Sequence, residues 1–322
     1  MIDDDMSVCG VDLILNYKLQ LHTELSVQLQ TELVTEAEKP VRDVLEKWLE
    51  PVFTDKAKDV DLRFYTDKED NVEHQIIEEI NDNRSSYTIY LPKENYMHLA
   101  VANIADNSQV YLLNGEHSAT MELRLSEEGD IPSANVGLFT ARLPMNVNDS
   151  TTEFEVHLYM VSSAVALVID PSACPDLVSL LGSVQGMADR FMVRDSIFSY
   201  DRAPRMLMEN IIDINNNKNA GARKALSASE QSELLCLATV GLPSEDDNYW
   251  SVRVTATLTG NRHTVTALTV ETPLPAGTLR IIKCQMNKNG ELEPIPDSDG
   301  SNDVGATVEL DWSEGGDFDV EM

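Results

Sequence analysis

No stretch of this sequence approaches the ~18–20 consecutive apolar residues that a membrane-crossing helix needs. The longest candidate, Val161 to Ile169, is far too short and includes Ser162 and Ser163. Close cysteine pairs are missing too. Cys9, Cys174, Cys236 and Cys284 are widely spaced with no CxxC, which argues against zinc fingers and thioredoxin-type redox sites. Four cysteines allow three complete pairings and the sequence selects none, although Cys236, inside the apolar run Leu234–Leu237, reads as a core thiol. Basic residues are scarce, 24 against 55 acids, so the net charge of −31 repels phosphate backbones and nucleic acid is not an expected partner.

Signatures of chemistry are absent as well. The six histidines, His22, His74, His98, His117, His157 and His263, are dispersed, without HExxH or HxH spacing. There is no GxSxG elbow and no GxxxxGK[ST] phosphate loop, and Gly182 and Gly186 do not make GxGxxG. The run Asp297 to Asp303 has its glycine at the fourth position rather than the sixth and no closing glutamate, so it reads as a solvated turn rather than a calcium loop. The sequence therefore predicts no enzyme activity, no metal and no cofactor.

What is there is alternation. In the first strand, Val11, Leu13, Leu15, Tyr17, Leu19 and Leu21 share one face, while Asp12, Asn16, Lys18 and Gln20 mostly take the other. The alternation persists through Leu25, Val27 and Leu29, so this strand continues or turns into a partner. A start so close to the first strand leads to the expectation of a mature chain whose leader has been removed, with Met1 added for expression. At 40–50 the period changes: Val41, Val44, Leu45, Trp48, Leu49 and Val52 fall at helical spacing, Pro40 suits the first turn and Pro51 the end.

Strands dominate the rest. Val60, Leu62 and Phe64 alternate, as do Tyr87, Ile89 and Leu91, and Met97 to Ile104 follows across Pro92. Asn114-Gly115, Gly260-Asn261 (read as a type II′ turn) and Asn289-Gly290 are hairpin signals. Asp176 to Leu181 fits either a helical turn or a strand, and Val184 to Val193 reads as a strand with Gly186 at a bulge. The polar run Asn146 to Thr152 is the best linker candidate, and Ile214 to Ser229 reads as a polar loop. The 322 residues, 42% of them hydrophobic, suffice for two units with their own cores. The expected architecture is mainly β, two β-sandwiches in tandem over 1–147 and 148–322, with a short helix in the first.

The run Ile2-Asp3-Asp4-Asp5-Met6-Ser7-Val8-Cys9, followed by a hydrophobic strand, resembles the mature start of the fimbrial anchor lipoproteins of the Bacteroidetes. That family begins with a lipid-modified cysteine, then an acidic D-D-[LM]-S-x-C segment, then the first strand; Met1 stands where the lipidated cysteine would be. The resemblance extends to the tail, Trp312 to Met322. It implies two transthyretin-like β-sandwiches, a lipid-bearing N-terminus in the outer membrane and a fimbrial stalk subunit as partner. The implied function is to fix a type V fimbrium to the outer membrane and limit its length.

Strand addition at a sheet edge is the expected contact. The candidate partner strands are the first strand, through Val11, Leu13, Leu15 and Tyr17, and the C-terminal tail, through Val308, Leu310 and Trp312. Stalk subunits of such fimbriae are, by the same implication, cleaved after a basic residue in an N-terminal extension. Here the first arginine, Arg42, lies in the predicted helix and Lys18 in a strand, which favours an unprocessed anchor. The alternative is a surface glycan-binding lipoprotein, with Tyr249-Trp250 as its aromatic platform.

Overall fold

The computed structural model describes residues 10–66, 71–77, 79–81, 83–105, 107–113, 118–127, 129–134, 136–150, 152–213, 234–296 and 303–309. The first part of the chain forms β1 (Gly10–Gln20), α1 (Leu25–Glu32), α2 (Lys39–Leu49), β2 (Val60–Thr66), β3 (Asn71–Ile77), β4 (Ser86–Pro92) and β5 (Asn95–Ala102). Next come β6 (Val110–Leu112), β7 (Thr120–Leu123), β8 (Asp130–Ile131), β9 (Phe139–Asn146) and β10 (Glu153–Met160). The second part forms β11 (Ser163–Asp170), β12 (Leu177–Gln185), β13 (Arg190–Met192), β14 (Ile197–Ser199), β15 (Arg205–Leu207) and β16 (Glu209–Ile212). It continues with β17 (Leu235–Gly241), β18 (Trp250–Leu258), β19 (Arg262–Val270), β20 (Leu279–Met286), β21 (Leu292–Pro294) and β22 (Val304–Glu309). The fold is mainly β, as expected.

One seven-stranded sheet runs β3-β2-β5-β9-β10-β1-β4. A five-stranded sheet, β16-β17-β11-β20-β21, faces a six-stranded one, β22-β19-β18-β12-β15-β8. Strand β11 shows how they are joined. Val165, Leu167 and Ile169 enter the core shared with Val252, Val254 and Leu268 of the six-stranded sheet. Ala164, Ala166 and Val168, on the opposite face, enter the core of the seven-stranded sheet and the helices. Because the side-chain period is two, a strand covered on both faces must be apolar at every position, and β11 and β17 are buried almost throughout.

The helices lie against that shared sheet. Leu25, Leu29 and Leu33 form one stripe and Val41, Leu45 and Leu49 another, all buried in the first core. Small residues opposite, Ala164, Ala166 and Ala238, belong to the same core. Polar contacts fix the docking: Gln28 Nε2 donates to Leu279 O at 2.8 Å, Trp48 Nε1 to Glu209 Oε2 at 3.2 Å, and Lys283 Nζ pairs with Glu38 Oε1 at 2.8 Å. The Lys283 ammonium and hydrogen bonds from Thr35 outweigh partial burial and hold the Glu38 carboxyl below its ordinary value.

Four expectations change. Residues 25–32 are helical, not strand: Leu25, Val27 and Leu29 alternate, but Val27 is 57% exposed and the buried stripe is Leu25, Leu29 and Leu33. The expected boundary at 147/148 is not where the sheets divide. The run Asn146 to Thr152 connects two strands of one sheet, since β10 pairs with β9 and, in parallel, with β1; the change of sheet comes between Met160 and Ser163. In the β18–β19 hairpin both Gly260 and Asn261 lie at positive φ (79° and 58°), which a type II′ turn requires only at its first central residue. Asp176 to Leu181 resolves mainly as strand, β12, while Gly186 (φ 89°) marks the end of that strand rather than the middle of one reaching Val193.

Candidate functional site

In a mainly β protein the sheet edges are where backbone groups remain open to a partner. Strand β1, expected to be such an edge, has none. It pairs in parallel with β10 (Leu15↔Phe154, Tyr17↔Val156) and antiparallel with β4 (Leu13↔Ile89, Leu15↔Tyr87). Leu13, Leu15 and Tyr17 are buried and Val11 is partly buried. A partner strand could reach β1 only by displacing β10 or β4.

Tyr17 is pinned further. Its hydroxyl meets His98 Nε2 at 3.0 Å, and His98 Nδ1 lies 3.1 Å from the Arg63 carbonyl. A carbonyl only accepts, so Nδ1 carries the proton and Nε2 accepts from the Tyr17 hydroxyl. The imidazole is stacked on Phe64 with centroids 4.4 Å apart and is fully buried. Burial pushes its pKa down to about 4, against a smaller opposing effect of the Arg63 carbonyl, and pushes the Tyr17 phenol up.

Val308 is differently placed. It lies on β22, the outermost strand of the six-stranded sheet, which pairs only with β19 among the described strands. Val304, Ala306 and Val308 share a face; Val304 is buried in the second core, whereas Val308 is 41% exposed. On the facing sheet, Ile295, just past β21, is 47% exposed, so two apolar residues are half open near one end of the sandwich. Leu310 and Trp312, like Met1, the acidic leader, Asn114-Gly115, the 214–229 loop and residues 297–302, lie outside the described residues.

Sequence reasoning missed a second long edge. Among the described strands β4 pairs only with β1, and it carries no charged side chain over its seven residues, in a chain one quarter charged. Tyr90 is 57% exposed and accepts a hydrogen bond from Gly10 N at 2.8 Å. A Cβ on Gly10 would sit 2.7 Å from the Tyr90 ring, so glycine there lets the ring lie across the start of β1. The signal was in the sequence: between Arg84 and Lys93 no residue is charged.

The aromatic platform proposed for glycans is not exposed as a pair. Trp250 is 2% exposed and donates from Nε1 to Thr272 O at 2.8 Å; only Tyr249 is open to solvent.

Far-apart segments are clamped together at one corner. A four-stranded sheet, β14-β13-β7-β6, takes two strands from each part of the chain, and β8 pairs in parallel with β15. Arg202 gathers the corner: Nε pairs with Asp189, a fully buried residue, Nη1 with Glu122 at 2.9 Å, and Nη2 donates to Leu123 O at 2.9 Å. Arg190 reaches the other oxygen of Glu122 at 3.0 Å, and Tyr111 donates to Glu122 at 2.6 Å. Nearby, Arg205 grips both oxygens of Asp130 at 2.5 and 2.8 Å, holding that carboxyl below its ordinary value. Among the described residues no cluster of His, Cys, Asp and Glu could hold a metal ion.

The described residues define a mainly β protein whose open features are sheet edges. The particular family follows from comparison. Residues 49–189, from the end of α2 past β12, match the profile of the fimbrillin-A associated anchor proteins Mfa1 and Mfa2. No curated protein matches by sequence. Among solved structures, the chain is similar to the fimbrial anchor protein Mfa2 from Porphyromonas gingivalis, at 10% identity and TM-score 0.50 over 87% of this chain and 91% of that one. It is also similar to a candidate adhesin from Bacteroides ovatus (8% identity, TM-score 0.55, 91% and 95%). A third likeness is to a candidate polysaccharide-binding protein from Bacteroides thetaiotaomicron (9%, 0.54, 90% and 99%). At these identities the structural likeness speaks for the fold alone, and the profile match, which spans less than half of the chain, points to the family. The likeness to the fimbria-associated anchor proteins over 49–189 points to the same family as the resemblance drawn from residues 2–9, which lie outside both that range and the described residues.

Proposed function

We propose that this chain is a non-enzymatic cell-surface subunit that fixes a fimbrium to the outer membrane and limits its length. The observation that carries the reading is the anchor-family match over residues 49–189. In this reading the native residue at the position of Met1 is a lipidated cysteine, the molecule is two transthyretin-like β-sandwiches, and the partner is a fimbrial stalk subunit that adds a strand. The contact is assigned to the β22 edge, where Val308 is half exposed and the outer backbone groups meet no described strand. Leu310 and Trp312, named with Val308 as candidates from the sequence, lie outside the described residues.

The architecture supports a load-bearing role. Tension between an N-terminal lipid and the β22 edge would pass through β1, paired on both sides, and then across the shared five-stranded sheet, whose two faces enter two different cores. The corner held by Arg202 closes a second path.

The reading is tested by passing the purified chain over immobilised fimbriae from the native host, alongside Val308→Lys. Saturable binding that the charged edge abolishes supports it. Absence of binding by both forms overturns it, and equal binding by both moves the contact away from β22.

A further inference from the structure

We propose that the cavity lined by Lys58 and Asp59, by Asn103, Asn107, Ser108 and Gln109, and by Ser133 and Val136 is a binding site for one neutral sugar ring. Its volume is about 280 Å³, near the lower end of small-molecule sites, which run from ~300 to 1,000 Å³. That is room for one ring rather than an oligosaccharide.

The wall is fixed before any ligand arrives. Asp59, 7% exposed, accepts the backbone N–H groups of Ile104 and Ala105 at Oδ1, at 2.8 and 3.0 Å. Its own carbonyl accepts from Asn103 N at 3.0 Å. Asn103 holds a left-handed conformation (φ 63°) while its amide accepts from Lys58 N at 2.8 Å and donates to Gly137 O at 2.6 Å. A buried carboxylate, a left-handed asparagine and two loops tied together by backbone bonds make a preorganised site.

What those bonds leave over defines the ligand. Asp59 Oδ2 has no hydrogen-bond partner among the described residues and is not among the atoms sealed from solvent. Lys58 is exposed, with no described carboxylate in ion-pair reach. The Gln109 side-chain carbonyl meets no donor among the described residues, while its side-chain amide donates to Ser108 Oγ at 3.3 Å, leaving the Ser108 hydroxyl proton to give. Ser133, 3% exposed, accepts from Val240 N at 2.9 Å and likewise keeps a proton to donate.

Among the described lining residues one carboxylate, Asp59, and one ammonium, Lys58, cancel. An anion would be opposed by Asp59 and a cation by Lys58. A sugar hydroxyl donates and accepts at once, so neighbouring hydroxyls on one ring can give a proton to Asp59 Oδ2 or Gln109 and accept from Lys58, Ser108 or Ser133. No aromatic residue is among the described lining, so recognition rests on hydrogen bonds and the expected affinity is weak, with Kd on the order of 1 mM.

The test is a two-dimensional NMR titration of the full chain with N-acetylglucosamine, galactose, mannose and fucose, each to about 20 mM. Glucose 6-phosphate and 1,5-diaminopentane serve as charged probes. The expected result is saturable shifts of the 103–109 amides by at least one neutral sugar, weakened roughly tenfold in Asp59→Asn, whose side-chain carbonyl still accepts from Ile104 and Ala105. Lys58→Ala, at an exposed side chain, keeps the test decisive if Asp59→Asn misfolds, and it too is expected to weaken the sugar. The proposal is overturned if no neutral sugar saturates these amides, if only the charged probes do, or if both variants bind sugar as the parent does. None of these outcomes bears on attachment to a fimbrium, so the site and the anchor role stand or fall separately.

Discussion

Lowering the pH from 7.5 to 5.0 should destabilise this protein by about 2 kcal/mol through one buried imidazole. His98 is neutral in the fold, with its pKa pushed down to about 4 by burial, against an ordinary 6.5 once unfolded. Between those values the unfolded chain binds a proton that the folded chain does not, so stability rises with pH across this window and is lost as pH falls. The whole gap corresponds to roughly 3 kcal/mol, most of it between pH 6.5 and 4. The carboxyls held low in the fold, Glu38, Asp130 and Glu155, add their own loss only as pH falls further, through their depressed values. Between pH 7.5 and 5.0 those carboxyls add little, and a variant at position 98 separates the share of His98 from the rest of the chain. Urea unfolding at the two pH values, in the parent and in His98→Gln, measures the effect directly. The glutamine is expected to lower stability at pH 7.5, because it forfeits the stack on Phe64, but to flatten the difference between the two pH values to well under ~1 kcal/mol. An undiminished pH dependence in His98→Gln would refute the reasoning.

Tyr17→Phe strands the accepting nitrogen of the same imidazole and should cost about 1–3 kcal/mol in thermal or urea unfolding. Arg202→Ala leaves Asp189 buried without its guanidinium. Since Arg202 is about a quarter exposed, the expected loss is roughly 2–3 kcal/mol, below that of a fully buried pair, and calorimetry checks it. Burial pushes the Cys284 thiol up to about 12 and Cys236 higher still, so neither should react with a thiol reagent at pH 8 until urea unfolds the chain, as mass spectrometry of the labelled peptides will read. Gly10→Val drives a side chain into the Leu91 carbonyl and the Tyr90 ring and should raise Tyr90 exposure in chemical footprinting, while Gly305→Val, on β22, meets no neighbouring atom and serves as the packing control.

Periodicity made α2 legible, because Val41, Leu45 and Leu49 leave no reading but a helix and Pro40 marks its first turn. It misled at α1, where eight residues contain both a period-two and a period-four apolar set and only packing against α2 decides between them. The hairpins were legible for the same local reason, since Gly260-Asn261 and Asn289-Gly290 join strands that do pair. What the sequence hid was long-range. Nothing in Phe154, Val156, Leu158 and Met160 says that β10 lies beside β1, about 140 residues earlier, rather than opening the next sheet. The same holds for the candidate site. Val11 to Tyr17 and Val304 to Val308 both alternate, and only sheet order reveals that the first strand is interior and the second an edge. Trp250 looked like a platform because an aromatic pair follows a polar loop, yet its register opposite Val270 turns it inward.

The central claim is that this chain holds a fimbrium to the cell. The most direct measurement is to delete its gene in the native host and determine where the fimbriae go and how long they are. The account predicts long fimbriae shed into the medium, with attachment and length restored by the parent gene and not by Val308→Lys. Fimbriae of unchanged length, still attached to the deleted strain, would contradict it.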